Sequence, residues 1–361
     1  VTVFEANEKA GGQCRYGIPS YRLSDDIIDK EINDILEAGI DLQTGKKINA
    51  PKELMEQGYD SVLISIGTQK GTLLPLEGNK LQGVLINTEF LKKTRLGTPE
   101  KLGERVMVLG GGNVAYDCAR TALRLGAKEV HIACLEDIHQ MTATAEELKE
   151  GKEEGIILHS AHSFLRITGS TKVEGVELQK VDRFYFDENR RAVVELVEGT
   201  KEIIPVDNVI FAVGQKPEGT EEMGLELVNN AYICANADLE TNSKGIYAVG
   251  DVVTGTKTVI EAVGAARHCA EVIDRYLGGD GDISEKLLEE EKPNPYLGKC
   301  TGFADLDRVK TKLMDAEIRK ECFDTIEEIF EEEDAKCEAS RCLQCDQRLQ
   351  LKKQKLWNEY E

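Results

Sequence analysis

Two groups of residues in this 361-residue chain have the types and the spacing to carry chemistry. The first is Gly110-Gly111-Gly112-Asn113-Val114-Ala115, which follows the apolar run 105–109 and opens into the helical pattern NVAYDCARTALRLGA. Glycines at such a turn let the backbone come close to a ligand, and the amides of the helix N terminus then face a pyrophosphate. Ala115 in the last position still permits close helix–strand packing. A ligand-free tight turn would use the same residues, but the strand–turn–helix setting points to a dinucleotide. The next strand, 129–134, runs into Cys134-Leu135-Glu136. A carboxylate there accepts hydrogen bonds from a ribose 2′-hydroxyl and repels a 2′-phosphate, which favours NAD(H) over NADP(H). In the rival reading Glu136 points to solvent, with Arg124 or Lys128 nearby by chance.

The second group is Cys337, Cys342 and Cys345 in CEASRCLQCD. Five of the ten cysteines lie from Cys300 onward, with Cys322 the fifth. Thiolates are soft ligands, and three or four at short spacing suit an iron–sulfur cluster. On one continuous helix Cys342 and Cys345 share a face, whereas Cys337 and Cys342 diverge by ~140°. Cys337 therefore joins only where the helix breaks. Cys300 and Cys322 are reserve ligands, and a zinc site or a metal-free vestige are the competing readings. The remaining cysteines, Cys14, Cys118, Cys134, Cys234 and Cys269, read as small buried residues.

These groups are positioned by an alternation of strands and helices, which means an α/β protein with parallel sheets. Strands are expected at 59–67, 105–110, 129–134, 208–214 and 245–251, and a meander over 172–200. Helices are expected from Leu23 to Ile40, with Ile27, Ile28, Ile32 and Ile35 on one face, and over 113–125, 145–155 and 257–277. The chain opens in a strand, Val1-Thr2-Val3-Phe4, that ends at Glu5 before Gly11-Gly12. An acidic end is typical of the second strand of a dinucleotide fold, whose glycine loop lies about 20 to 30 residues earlier. The start of that domain is thus expected to lie outside this sequence. After Gly278-Gly279 the composition turns highly charged, Pro293 and Pro295 mark a linker, and 324–340 is an acidic helical run. The expected boundary is near residue 290.

Lys and Arg number 45 against 66 Asp and Glu, a net charge of −21. Such a surface repels phosphate backbones and argues against nucleic acid. No run reaches the ~18 apolar residues of a membrane span, and ten cysteines without a secretory signal point to a reducing, cytoplasmic setting.

GGQCRYGIPSYRLS (11–24), SVLISIGTQKG (61–71), VLGGGNVAYDCARTALRLGAKEV (108–130), VIFAVGQKPE (209–218) and TNSKGIYAVGDVVTGTKTVIEAVGAARHCAEVI (241–273) together resemble the glutamate-synthase small-subunit family of flavoproteins. The resemblance implies two Rossmann-like domains, the nicotinamide domain inserted in the FAD domain, plus a helical tail. It divides the chain into 1–72 and 218–290 for FAD, 73–217 for NAD(P), and 291–361 for the tail. It implies FAD contacts from Glu5, Gly12, Tyr16, Gly17, Ile18, Arg22, Gly67, Gly250 and Asp251, with Val259 and Ala262 beside the flavin. Gly214 joins the cofactor candidates. Asp251 closes a buried strand at its carboxyl end, where open α/β sheets bind ligands, and the helix after it could turn its N terminus to a pyrophosphate. EASRCLQCD resembles the segment by which relatives bind [4Fe–4S] clusters. Family members that use NADPH carry arginines where this chain has Cys134-Leu135-Glu136.

No Ser-His-Asp set, HExxH or Walker loop is present. Hydride transfer between nicotinamide and flavin needs no protein acid or base, so no catalytic side chain is expected. The expected role is an electron-transfer subunit that passes hydride between NAD(P)H and FAD, and single electrons through Fe–S centres to a dehydrogenase or synthase partner in a hetero-oligomer. A glutamate synthase small subunit proper and a structural subunit that has lost FAD are the alternatives.

Overall fold

The run RVMVL becomes the strand Arg105–Leu109, at the centre of a five-stranded parallel sheet. The order across that sheet is Val84–Ile86, Asn208–Phe211, Arg105–Leu109, Glu129–Ala133, Ile157–His159. Strand side chains alternate between faces. Val106 and Val108 pack with Ala115, Ala119, Ala122 and Phe90 on one side. Met107 and Leu109 pack with Phe164, Ile167, Val176 and Leu178 on the other. The first group comes from the helices Asn87–Arg95 and Asn113–Arg124. The second comes from a four-stranded antiparallel sheet built from His162–Thr168, Gly175–Phe186, Ala192–Leu196 and Glu202–Pro205. Burial on both faces is why the central strands read as unbroken apolar runs.

This computed structural model describes residues 1–187, 192–284, 302 and 305–342. One unit is Val1–Asp282 with Asp315–Thr325; the other is Ile283–Met314 with Ile326–Glu361. In the first unit two further parallel pairs stand outside the five-stranded sheet: Thr2–Phe4 with Asp41–Gln43, and Val62–Ile64 with Ile246–Ala248. The chain passes between these pairs and the five-stranded sheet along a short antiparallel ribbon, in which Lys70 and Gly71 face Lys216 and Gln215. The fold is two-domain and Rossmann-like, as expected.

Local details depart from the sequence pattern. The helix expected from Leu23 is Asp25–Glu37, and only Ile28 of its four isoleucines is buried, with Ile27 and Ile35 exposed. The helix expected over 145–155 is Ala145–Glu153, and its charges are not all solvated. Glu147 and Glu154 are buried with Arg120, Arg124 and Arg319. Glu154 accepts from Arg120 at 2.7 Å, Arg124 at 2.8 Å and Arg319 at 2.9 Å. Arg22 pairs with Asp117 at 2.7 Å and Glu147 at 3.0 Å. The Tyr21 ring lies 3.9 Å from the Arg124 guanidinium. Burial opposes the Glu154 charge, but the hydrogen bonds from Arg124 and Arg120 win and hold its carboxyl down at about 2. Burial pushes Asp117 up to about 6 against the pull of Arg22.

The acidic run 324–340 yields the helix Glu332–Ser340 in the second unit. There Glu338 accepts from the Val309 amide at 2.8 Å, and Arg341 donates to the Leu306 carbonyl at 2.9 Å. The expected linker prolines and the boundary near 290 lie outside the described residues. Among the described residues, no helix is long and apolar enough to cross a membrane.

Glu154, with a native value depressed below its unfolded one, contributes stability above pH 4.5 that is lost as pH falls toward 2. Glu154→Gln is expected to cost about 3 to 5 kcal/mol at pH 7, because it leaves buried guanidiniums uncompensated. At ~2 to 4 °C per kcal/mol that is a midpoint drop of about 10 °C, with a flatter acid limb, in thermal unfolding across pH 3–8.

Candidate functional site

The glycine loop sits where the sequence puts it, at the carboxyl end of Arg105–Leu109 and the start of Asn113–Arg124. Gly110 has φ +136°, and a Cβ there would lie 2.3 Å from the Ala212 carbonyl oxygen. The loop therefore crosses the end of the neighbouring strand at a distance that only glycine allows. A Cβ on Gly111 would meet Cys134 Cβ at 2.8 Å and the Glu136 Oε2 at 3.2 Å. Glu136 thus stands against the glycine loop. No side chain caps the helix that follows Gly112. Its first amides are left to meet an anion, as such helix starts do in dinucleotide sites. Asn113 Oδ1 accepts from the Thr144 amide at 2.9 Å and so ties the 137–144 loop to the same edge, while Val114 packs into the core behind it. Burial pushes the Cys134 thiol up to about 12, so it is a packing group and not a nucleophile.

A second constellation forms around Thr68, which is fully buried. Its hydroxyl lies 3.2 Å from Thr256 Oγ1 and 3.4 Å from Gln215 Oε1, and its carbonyl accepts from Gln13 at 3.4 Å. Burial raises Asp251 above the usual carboxylate value, while the Lys257 amide and the Thr68 hydroxyl favour its ionised form. Gly67, Gly250 and Asp251 are brought together here, with Ala262 3.7 Å from the position of a Cβ on Gly250. Gly214 accepts from the Thr72 amide at 3.0 Å, beside the ribbon. Gln13, Thr68, Gln215 and Thr256 are additions to the sequence reading. Their signal was present, since all four fall inside or between the quoted glycine-rich motifs.

The helix Gly12–Tyr16 carries the next group. Tyr16 is buried and its hydroxyl bonds to Lys9 backbone atoms at 3.1 and 3.2 Å. The Gly17 and Ile18 amides both donate to the Gln13 carbonyl at 2.8 Å. Glu5 accepts from the Asn7 amide at 2.7 Å. Arg22, expected at the flavin, pairs with Asp117 and Glu147. The helix Val259–Tyr276 was expected to offer its N terminus. Thr258 and Glu261 close it with a reciprocal capping box, which gives partners to the Thr258 and Glu261 amides. Val259 stands exposed at the first turn of that helix.

In the second unit the helix ends at Ser340, between Cys337 and Cys342, and both thiols are exposed. The break that Cys337 needs is present. Cys345 and Cys300 lie outside the described residues, among which no group of three His, Cys, Asp or Glu is arranged to hold a metal.

A family described as pyridine nucleotide-disulphide oxidoreductase matches residues 17–267. The chain is 32% identical over 360 residues to NADP(+)-dependent formate dehydrogenase subunit beta of Moorella thermoacetica, covering 96% of this chain and 51% of that one. It is 31% identical over 294 residues to the glutamate synthase [NADPH] small chain of Halomonas elongata, covering 76% and 62%. The chain therefore spans about half to three-fifths of the length of these curated relatives. Among solved structures, FprA of Mycobacterium tuberculosis in complex with NADPH superposes with a TM-score of 0.67 at 21% identity, over 77% of this chain and 78% of that one. That likeness establishes the fold.

Gly111→Ala is expected to weaken dinucleotide binding at least 10-fold by titration calorimetry, equivalent to about 1.4 kcal/mol, because Cys134 or Glu136 must move. The circular dichroism spectrum should stay that of the parent.

Proposed function

We propose, because this chain belongs to the pyridine nucleotide-disulphide oxidoreductase family and sits with glutamate synthase small chains within it, that it binds FAD and NAD(H) and works as the flavin subunit of a larger redox complex. The observation that carries this reading is the glycine loop backed by Glu136, a carboxylate 3.2 Å from the space above Gly111. When bound, FAD supplies the chemistry, taking a hydride from a reduced dinucleotide and releasing the two electrons singly.

The chain's own residues bind and orient. Gly110 to Gly112 and the uncapped start of Asn113–Arg124 take the pyrophosphate. Glu136 accepts from the adenosine ribose hydroxyls. Leu135, Glu136 and Asp137 offer no cation to a 2′-phosphate, so NAD(H) is favoured although several relatives are named for NADP or NADPH. Gly67, Thr68, Gly250 and Asp251 line the FAD cleft, where Asp251 accepts from a ribityl hydroxyl. Tyr16, Gly17 and Ile18 form its wall. Glu5 and Gly12 serve the adenosine end of that FAD, and Val259 and Ala262 stand beside the ring. Arg22 acts through its ion pairs and not as a flavin contact.

Cys337 and Cys342, with Cys345, are proposed to hold a [4Fe–4S] cluster that hands electrons to the partner. The exposure of the two described thiols and the end of the helix between them support this. The partner is an iron–sulfur, dehydrogenase or synthase subunit. Relatives named as beta subunits of formate dehydrogenase and of an NADPH–Fe(3+) oxidoreductase, and as a small chain, support a hetero-oligomer.

Stopped-flow reduction of the bound flavin tests the dinucleotide assignment. NADH should outperform NADPH in kcat/KM, and Glu136→Ala should cut the NADH value about 10-fold or more, the loss of a charge-assisted hydrogen bond of ~1.5–3 kcal/mol. Equal use of both dinucleotides by the parent protein would sink it. Iron and sulfide analysis after anaerobic purification tests the tail: Cys342→Ser should lose both and keep the flavin.

A further inference from the structure

The segment Asp315–Thr325 follows the expected tail boundary in sequence, yet it belongs to the first unit. Its anchor is Arg319, whose side chain is 3% exposed and donates to Glu153 at 2.7 Å, Glu154 at 2.9 Å and the Glu150 carbonyl at 3.4 Å. A few residues on, the Phe323 carbonyl accepts from Ser20 Oγ at 3.4 Å. One short stretch thus touches both the nicotinamide-side helix Ala145–Glu153 and the segment that follows Gly12–Tyr16.

We propose that Arg319 is a positioning residue for hydride transfer, and that Asp315–Thr325 is a strap that fixes the nicotinamide domain against the flavin-side segment 16–25. This rests on the reading above that the chain moves hydride between a dinucleotide and a flavin.

The links are continuous. Arg319 shares Glu154 with Arg120 and Arg124. Arg124 faces the Tyr21 ring, and Arg120 reaches Glu147 at 3.2 Å, which holds Arg22. Arg120 and Arg124 stand on the helix whose other end is the glycine loop. Movement at Arg319 is therefore movement at the dinucleotide loop relative to Tyr16–Arg22. The ribbon through residues 70–71 and 215–216 is too short to set that angle by itself.

Packing leaves space beside the strap. Phe323 borders a cavity of about 300 Å³ with Pro19, Leu91, Thr121 and Leu125. The buried Thr121 hydroxyl has no partner among the described residues. Removing Arg319 leaves three guanidiniums (Arg22, Arg120, Arg124) facing five carboxylates (Asp117, Glu147, Glu150, Glu153, Glu154) in place of four. That imbalance loosens the joint without removing a residue of either cofactor site.

The test uses the full-length, flavin-loaded protein and its Arg319→Met and Arg319→Lys variants. Amide hydrogen exchange is expected to rise in Arg319→Met over 315–325, 145–154 and 19–24 together. Flavin reduction by NADH is expected to slow about 10- to 100-fold, the scale of a misplacement of roughly 1 Å. Dinucleotide affinity should stay within about twofold, the deuterium isotope effect from 4-deuterated NADH should grow, and Arg319→Lys should recover part of the rate. Raised exchange with an unchanged reduction rate overturns the proposal, and so does unchanged exchange. Should Arg319→Met fail to fold, Glu153→Gln removes the solvent-side partner of Arg319 and should show the same pattern more weakly. A parent protein that binds flavin but is not reduced by NADH or NADPH defeats the functional reading instead. The exchange data then decide the strap alone: loosening confined to 315–325 overturns it, and joint loosening of 19–24 upholds it.

Discussion

One carboxylate, Glu154, accepts hydrogen bonds from three guanidinium groups out of reach of water. Stripping water from such groups costs several kcal/mol per ion, and the attraction between them repays that cost only in near-ideal geometry. The cluster is therefore a weak source of net stability and a strong source of uniqueness. Any slip of Asn113–Arg124 against Ala145–Glu153, or of residue 319 against either, leaves a buried charge unpaired. The cost rises steeply with displacement, which is the property needed to hold one arrangement among several of similar apolar burial.

The same helix serves two ends. Its start is uncapped and meets the glycine loop, and its last turns carry Arg120 and Arg124 into the ionic cluster. Between them Ala115, Ala119 and Ala122 lie flat against Val106, Val108 and Ile132. A binding loop carried on so firmly seated an element needs little ordering when ligand arrives. The glycines complete this rigidity from the other side, since Gly110 runs against the Ala212 carbonyl and Gly111 against Cys134. The loop is fixed by what surrounds it, although glycine is intrinsically the most permissive residue.

What was legible in the sequence follows from range. The three inner strands of the five-stranded sheet, the pair Val62–Ile64 and Ile246–Ala248, and the glycine loop are encoded locally, by continuous apolar runs and by adjacent residues, and they stand where the pattern put them, whereas the outer strands Val84–Ile86 and Ile157–His159 were not read. The start of Val259–Tyr276 was legible too, because Thr258 and Glu261 are three apart. The same pair occupies two of the amides at its N terminus, a consequence visible only once the reciprocal bonds are drawn. The ionic cluster was not legible. Residues 145–155 look like a solvated charged helix until Arg120, 34 positions before Glu154, and Arg319, 165 after it, are placed beside it. The ion pair of Arg22 was not legible either, because Asp117 lies 95 positions away and gives no local sign. Helix Asp25–Glu37 misled in the opposite sense: its isoleucines repeat at helical spacing, but Ile27 and Ile35 remain exposed.

The segment 315–325 is itself seated by charge. Residues 315–325 are followed within a few positions by the helix that carries Cys337. An anchor made of salt links inside a low-dielectric cluster resists screening by salt far better than a surface contact would. Holding residues 315–325 by a buried arginine, beside the cavity that Phe323 borders, places their attachment on electrostatics. Such an attachment is specific in geometry and adds little apolar burial. The proposed orientation of the dinucleotide loop and the seat of residues 315–325 then depend on the same carboxylate.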